Sequence, residues 1–137
     1  MRELGDHWYG YGAGVIAQVD GSTASVVHTY VSDTSVRNED DPMLFKCATR
    51  RGELLYATTE TEVIVYRLPD FEVVHHLSHP WFNDVHHVVP TASGSLLVAS
   101  SGIEAVLELD LDGELLRQYP TDDEREQLCT EHRDLRF

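Results

Sequence analysis

From Val15 to Tyr119 the chain alternates short apolar runs with polar turns. Leu54 to Thr58 and Leu96 to Ser100 each follow a glycine turn and are largely apolar, the composition of strands buried on both faces. Val63 to Leu68 and Ala105 to Leu111 are the next strands. In the latter, Val106, Leu107, Glu108, Leu109, Asp110 and Leu111 alternate, which leaves one face wetter than the other. Pro69-Asp70 and Asp112-Gly113 are turn dipeptides in equivalent places, and Val73 to Leu77 and Glu114 to Tyr119 supply an outer strand after each. Met43 to Ala48 and Val85 to Val89 precede the two glycine turns as first strands. Each set therefore predicts four strands, three short turns and no helix.

The two sets are copies of one another. Gly52-Glu53-Leu54-Leu55-Tyr56-Ala57-Thr58-Thr59 superposes on Gly94-Ser95-Leu96-Leu97-Val98-Ala99-Ser100-Ser101 at an offset of 42. Without a gap, Glu62 then meets Glu104, Ile64 meets Val106, Asp70 meets Asp112 and Glu72 meets Glu114. A period in the forties with strand chemistry is that of four-stranded propeller blades. Val15 to Asp20, a Gly21-Ser22 turn and Ala24 to Val31 match the last two strands of a preceding unit. The prediction is an all-β chain: a partial β-propeller over residues 1–120, with an incomplete blade at 12–31 and blades at about 43–78 and 84–120. Residues 121–137 form a tail, where Thr121-Asp122-Asp123-Glu124 has the form of a capping box opening a short helix.

Charge narrows the partners. Twenty-four acids against ten bases give −14, which repels phosphate backbones and argues against nucleic acid. The apolar runs are far shorter than the ~20 residues that cross a bilayer as a helix, and the first residues carry no apolar stretch of signal-peptide length. A cytoplasmic protein without membrane contact is the expectation. Cys47 and Cys129 stand in unlike contexts with no paired spacing, so both read as free thiols.

The stretch from Trp81 to Tyr119 resembles a blade of the NHL and gluconolactonase-like propellers. The residues that carry the likeness are Val85-His86-His87-Val88-Val89, Gly94, Leu96-Leu97-Val98-Ala99-Ser100-Ser101 and Asp110-Leu111-Asp112-Gly113. Phe82-Asn83-Asp84-Val85 is further similar to the Asn-Asp-Val motif of the paraoxonase-type arylesterases. That resemblance implies calcium, or another divalent metal, at Asn83 and Asp84, although calcium takes six to eight oxygens and two residues do not complete a site.

Five of the eight histidines, His75, His76, His79, His86 and His87, crowd around this motif. Adjacent side chains on a strand point to opposite sides, so His86 and His87 do not both serve one site unless the strand is bulged, and either is a candidate catalytic base. His79 and Trp81, in the loop before the blade, are candidate ligand contacts; His75 and His76, on an outer strand, are expected to face solvent. The first functional expectation is a non-enzymatic module that binds a small molecule or protein partner on its channel face. Two alternatives stand beside it: a calcium-dependent hydrolase of lactones or esters, and a propeller fragment without activity of its own. A propeller closes with four or more blades, so a homo-oligomer or a partner chain completing the ring is expected.

Overall fold

A computed structural model describes residues 12–32 and 43–120, with the backbone of 2–3 and 9–10. The short helix expected from Thr121 lies outside the described residues. The chain divides into two compact units at Phe45 and Lys46.

In the first unit, strand β1 (Arg2–Glu3) pairs with β2 (Tyr9–Gly10), and β3 (Gly14–Asp20) forms an antiparallel hairpin with β4 (Thr23–Tyr30). Gly14 is there because nothing larger fits. A Cβ at that position would lie 2.6 Å from the Phe45 ring and 2.8 Å from the Met43 methyl. Its N–H instead donates to Met43 Sδ at 3.0 Å, and the Phe45 ring also meets Tyr30. Met43 is thus a buried plug of this unit rather than the start of a strand.

The second unit contains two separate four-stranded antiparallel sheets. The first runs β5 (Cys47–Arg51), β6 (Leu54–Thr58), β7 (Val63–Arg67) and β8 (Glu72–Leu77); the second runs β9 (Val85–Pro90), β10 (Leu96–Ser100), β11 (Ala105–Leu109) and β12 (Leu115–Pro120). Strand order follows chain order in both, so each is a meander without crossovers. The first strand of the first sheet begins four residues later than the apolar pattern suggested. Thr49, Arg50 and Arg51 continue it to the turn, because a strand at a sheet edge needs no apolar side chains to keep its ladder. Gly52 and Gly94, the equivalent turn glycines, have φ of 61° and 90°, which a side chain would strain.

Two-residue alternation decides which side chains meet. Tyr56, Val63, Val65 and Leu77 face Val85, Val88, Leu96, Val98, Leu107 and Leu109 in one core, and Phe82 from the connecting loop fills it with no exposure. Each such side chain contributes roughly 1.5–3 kcal/mol on burial. Ala57, Ile64 and Tyr66, on the opposite side of the first sheet, are buried too. The second sheet departs from the expectation of two buried faces. Leu97, Ala99 and Val106 are half-buried and Val89 and Tyr119 exposed, because among the described residues no further sheet lies over them.

Candidate functional site

The loop entering the second sheet is tied down along its length. Phe82 N–H donates to the His79 carbonyl at 2.8 Å, and Trp81 N–H to His79 Nδ1 at 3.2 Å. Ser100 Oγ donates to the Trp81 carbonyl at 2.7 Å and accepts the Asn83 N–H at 2.9 Å. Gly102 N–H donates to the Asn83 carbonyl at 2.9 Å, and Val85 N–H reaches across to the first sheet, to the Glu60 carbonyl at 3.0 Å. Held this way, Asp84 takes a left-handed φ of 52°, which aspartate tolerates better than most residues.

That turn sends the Asp84 carboxylate out to the first strands of both sheets. Oδ1 lies 3.0 Å from Lys46 Nζ and Oδ2 3.0 Å from His86 Nε2, while Glu60 stands 3.8 Å from the same ammonium. Partial burial works to raise the Asp84 carboxyl, but the hydrogen bond and charge of Lys46, reinforced by His86, outweigh it and hold the group below the usual carboxylate range. One position along β9, His87 turns to a different partner: its Nδ1 is 2.8 Å from the Cys47 thiol on β5. The result is a polar strip of Lys46, Cys47, Asp84, His86 and His87 along the inner strands, above an apolar core.

The other sequence candidates fall elsewhere. His79 and Trp81 engage one another, with ring centroids 6.4 Å apart and edge to face, and His79 also meets Phe82 at 6.0 Å. Asn83 is buried, and its side chain fills the space over Gly102, away from the ions around Asp84. Both oxygens of Asp84 already face cationic or donor nitrogens. Among the described residues no three His, Cys, Asp or Glu side chains converge as a metal ion requires. This arrangement does not fit calcium, and no step through a metal follows from it.

The fold is matched among solved structures by the WD40 domain of Neurospora crassa Pan2, with a TM-score of 0.55 and 16% identity over 80% of this chain. The fold is a partial β-propeller. At that identity the likeness establishes architecture alone, and the chain spans 33% of the length of that domain. No protein-family model matches the sequence, and no curated protein matches it. Propeller blades surround a central channel; β5 and β9 are the first strands of their sheets, and the polar strip runs along them.

Lys46 and Cys47 of the polar strip, and Glu60 beside it, were invisible as site residues in the sequence. Lys46 is the sole lysine, and Cys47 sits in a strand-like run. Both were open to notice, but nothing in their neighbourhood points to partners forty positions away. Glu60 is one of many acids. A fourth residue was missed for the opposite reason. Glu62 is an ordinary turn carboxylate by sequence, yet it is fully buried, accepting from Thr59 Oγ1 at 3.1 Å and lying 2.8 Å from His76 Nε2. His76 is therefore not merely solvated, as an outer-strand position suggested: it answers a buried charge.

Proposed function

We propose that this propeller module binds a protein partner through the channel edge of β5 and β9, in the manner of a peptide-recognition surface rather than an enzyme. The observation that carries the reading is the Lys46–Asp84–His86 arrangement. It is fixed by the left-handed Asp84 turn, and its groups remain accessible, with the aspartate side chain 43% and His86 53% exposed. Charges held in fixed geometry at a rim lose little entropy when a partner's polar groups arrive, which is how complementary surfaces gain specificity. The exposed Val89 and Tyr119 on the far face of the second sheet support a further role for another blade, from this polypeptide or another, which would cover them as the second sheet covers the first. The likeness of Val85 to Gly113 to NHL and gluconolactonase-type blades is compatible with such a module. It lends the calcium-dependent hydrolase no support, because the Asp84 oxygens are committed to Lys46 and His86.

The test is selection of peptides from a displayed random library on the immobilised full chain. Selected peptides should lose roughly tenfold or more in affinity, about 1.4 kcal/mol, on Asp84→Arg and on His86→Ala, with circular dichroism unchanged. Peptides that bind both variants as tightly as wild type, or a library that yields none, refute the reading.

A further inference from the structure

We propose that Cys47 is a site of reversible oxidation by hydroperoxides, with His87 as its proton acceptor and Thr58 as the donor that holds the oxidised product. The inference is independent of the partner-binding reading. Two observations converge on it. The first is a nucleophile and a base in hydrogen-bond contact: Cys47 Sγ lies 2.8 Å from His87 Nδ1, although the residues stand on different blades 40 positions apart. A thiol with an imidazole at that distance is placed to pass its proton over and present a thiolate, the form that attacks electrophiles. Cys47 is a free thiol and only half-buried, and His87 is exposed.

The second observation concerns Thr58. It is the direct cross-strand neighbour of Cys47, so both side chains project from one face of the sheet with Cβ atoms ~4.5–5.5 Å apart. Thr58 has no exposure, and its Oγ1 is buried without a hydrogen-bond partner. A buried hydroxyl in that state costs roughly 1–3 kcal/mol, and structures seldom keep one. An oxygen added to the neighbouring sulfur would give it a partner.

The chemistry balances within these groups. His87 Nδ1 takes the thiol proton, and the thiolate sulfur attacks one oxygen of hydrogen peroxide. The S–O bond forms as the O–O bond breaks, and the departing hydroxide takes the proton back from the imidazolium and leaves as water. Sulfur is oxidised by two electrons to the sulfenic acid and the peroxide is reduced by two. Among the described residues Cys47 has no second cysteine beside it to form a disulfide, so the product persists until an external thiol reduces it.

The test uses the full chain with Cys129→Ser, treated with hydrogen peroxide and trapped with dimedone, with adducts followed by intact mass against time. The rate at Cys47 should exceed that of the same protein unfolded in urea by roughly tenfold or more. It should fall to the unfolded value in His87→Ala, a change at an exposed side chain that leaves the core intact. In Thr58→Val, which keeps the volume and removes the orphan hydroxyl, the sulfenic acid should proceed to sulfinic acid sooner. Equal rates in wild type and His87→Ala, or absence of a Cys47 adduct, overturn the proposal. A product lifetime unchanged in Thr58→Val removes Thr58 from it.

Discussion

Replacing Gly102 by alanine probes how tightly the site loop is fastened. The added methyl would lie 2.3 Å from Asn83 Oδ1, 2.5 Å from its Cγ and 3.0 Å from its carbonyl oxygen, where ordinary contact begins near ~3.4 Å. Asn83 cannot simply step aside. Its N–H is held by Ser100 Oγ at 2.9 Å and its carbonyl by Gly102 N–H itself at 2.9 Å. Relief of about an ångström therefore comes from a shifted side chain or a stretched hydrogen bond. Overpacking of this kind costs about 1–3 kcal/mol, and a weakened backbone bond adds up to about 1 kcal/mol. We expect Gly102→Ala to destabilise the protein by about 2 kcal/mol, read as a lower urea midpoint with unchanged m-value. The cause is isolated by repeating the substitution in Asn83→Ala, where the two closest contacts no longer exist. There its cost should drop by about 1 kcal/mol or more, a coupling typical of touching residues. A single-mutant cost under about 0.5 kcal/mol, or the same cost in both backgrounds, would show that the clash is not what requires glycine.

Three further outcomes follow from the same coordinates. Leu107→Ala, at a core position with no exposure, should cost about 2–5 kcal/mol in urea unfolding, whereas Leu116→Ala, 52% exposed, should cost far less. The lowered Asp84 carboxyl contributes stability that is fully present above its ordinary value of 3.8 and is lost as pH falls below that value through the folded-state pKa. Wild type should therefore lose stability over that acid window more steeply than Asp84→Asn, and parallel curves would contradict the Lys46–Asp84 pairing. Burial, with the charge of Glu62 added, pushes the Tyr66 phenol far above its ordinary value of 10.0, so its contribution is complete below that pH and is lost as pH rises above it. Stability measured against alkaline pH should fall less steeply in Tyr66→Phe than in wild type.

The repeat was legible in the sequence because a meandering sheet is built from local instructions. Apolar runs of strand length, turn dipeptides such as Asp112-Gly113 and glycines such as Gly52 and Gly94 act within a few residues of themselves, and the 42-residue offset exposes their recurrence. On that basis the all-β fold and its four-stranded units could be read directly. Polar edge strands were harder. Thr49, Arg50 and Arg51 carry no apolar pattern because their ladder is made by backbone groups alone. The buried state of Glu62 escaped for a related reason: its twin in the repeat, Glu104, stands at the equivalent position yet is exposed.

What only the tertiary structure decided is which blades' side chains touch. Lys46 meets Asp84 and Cys47 meets His87 because the second sheet stacks on the first, bringing the first strands of both sheets side by side. That stacking is driven by apolar burial between Val63, Val65 and Leu77 on one side and Val85, Val88 and Leu107 on the other. Hydrophobic burial is non-directional, so the pattern of apolar residues foretells that two sheets will pack but not the alignment that sets a thiol against an imidazole.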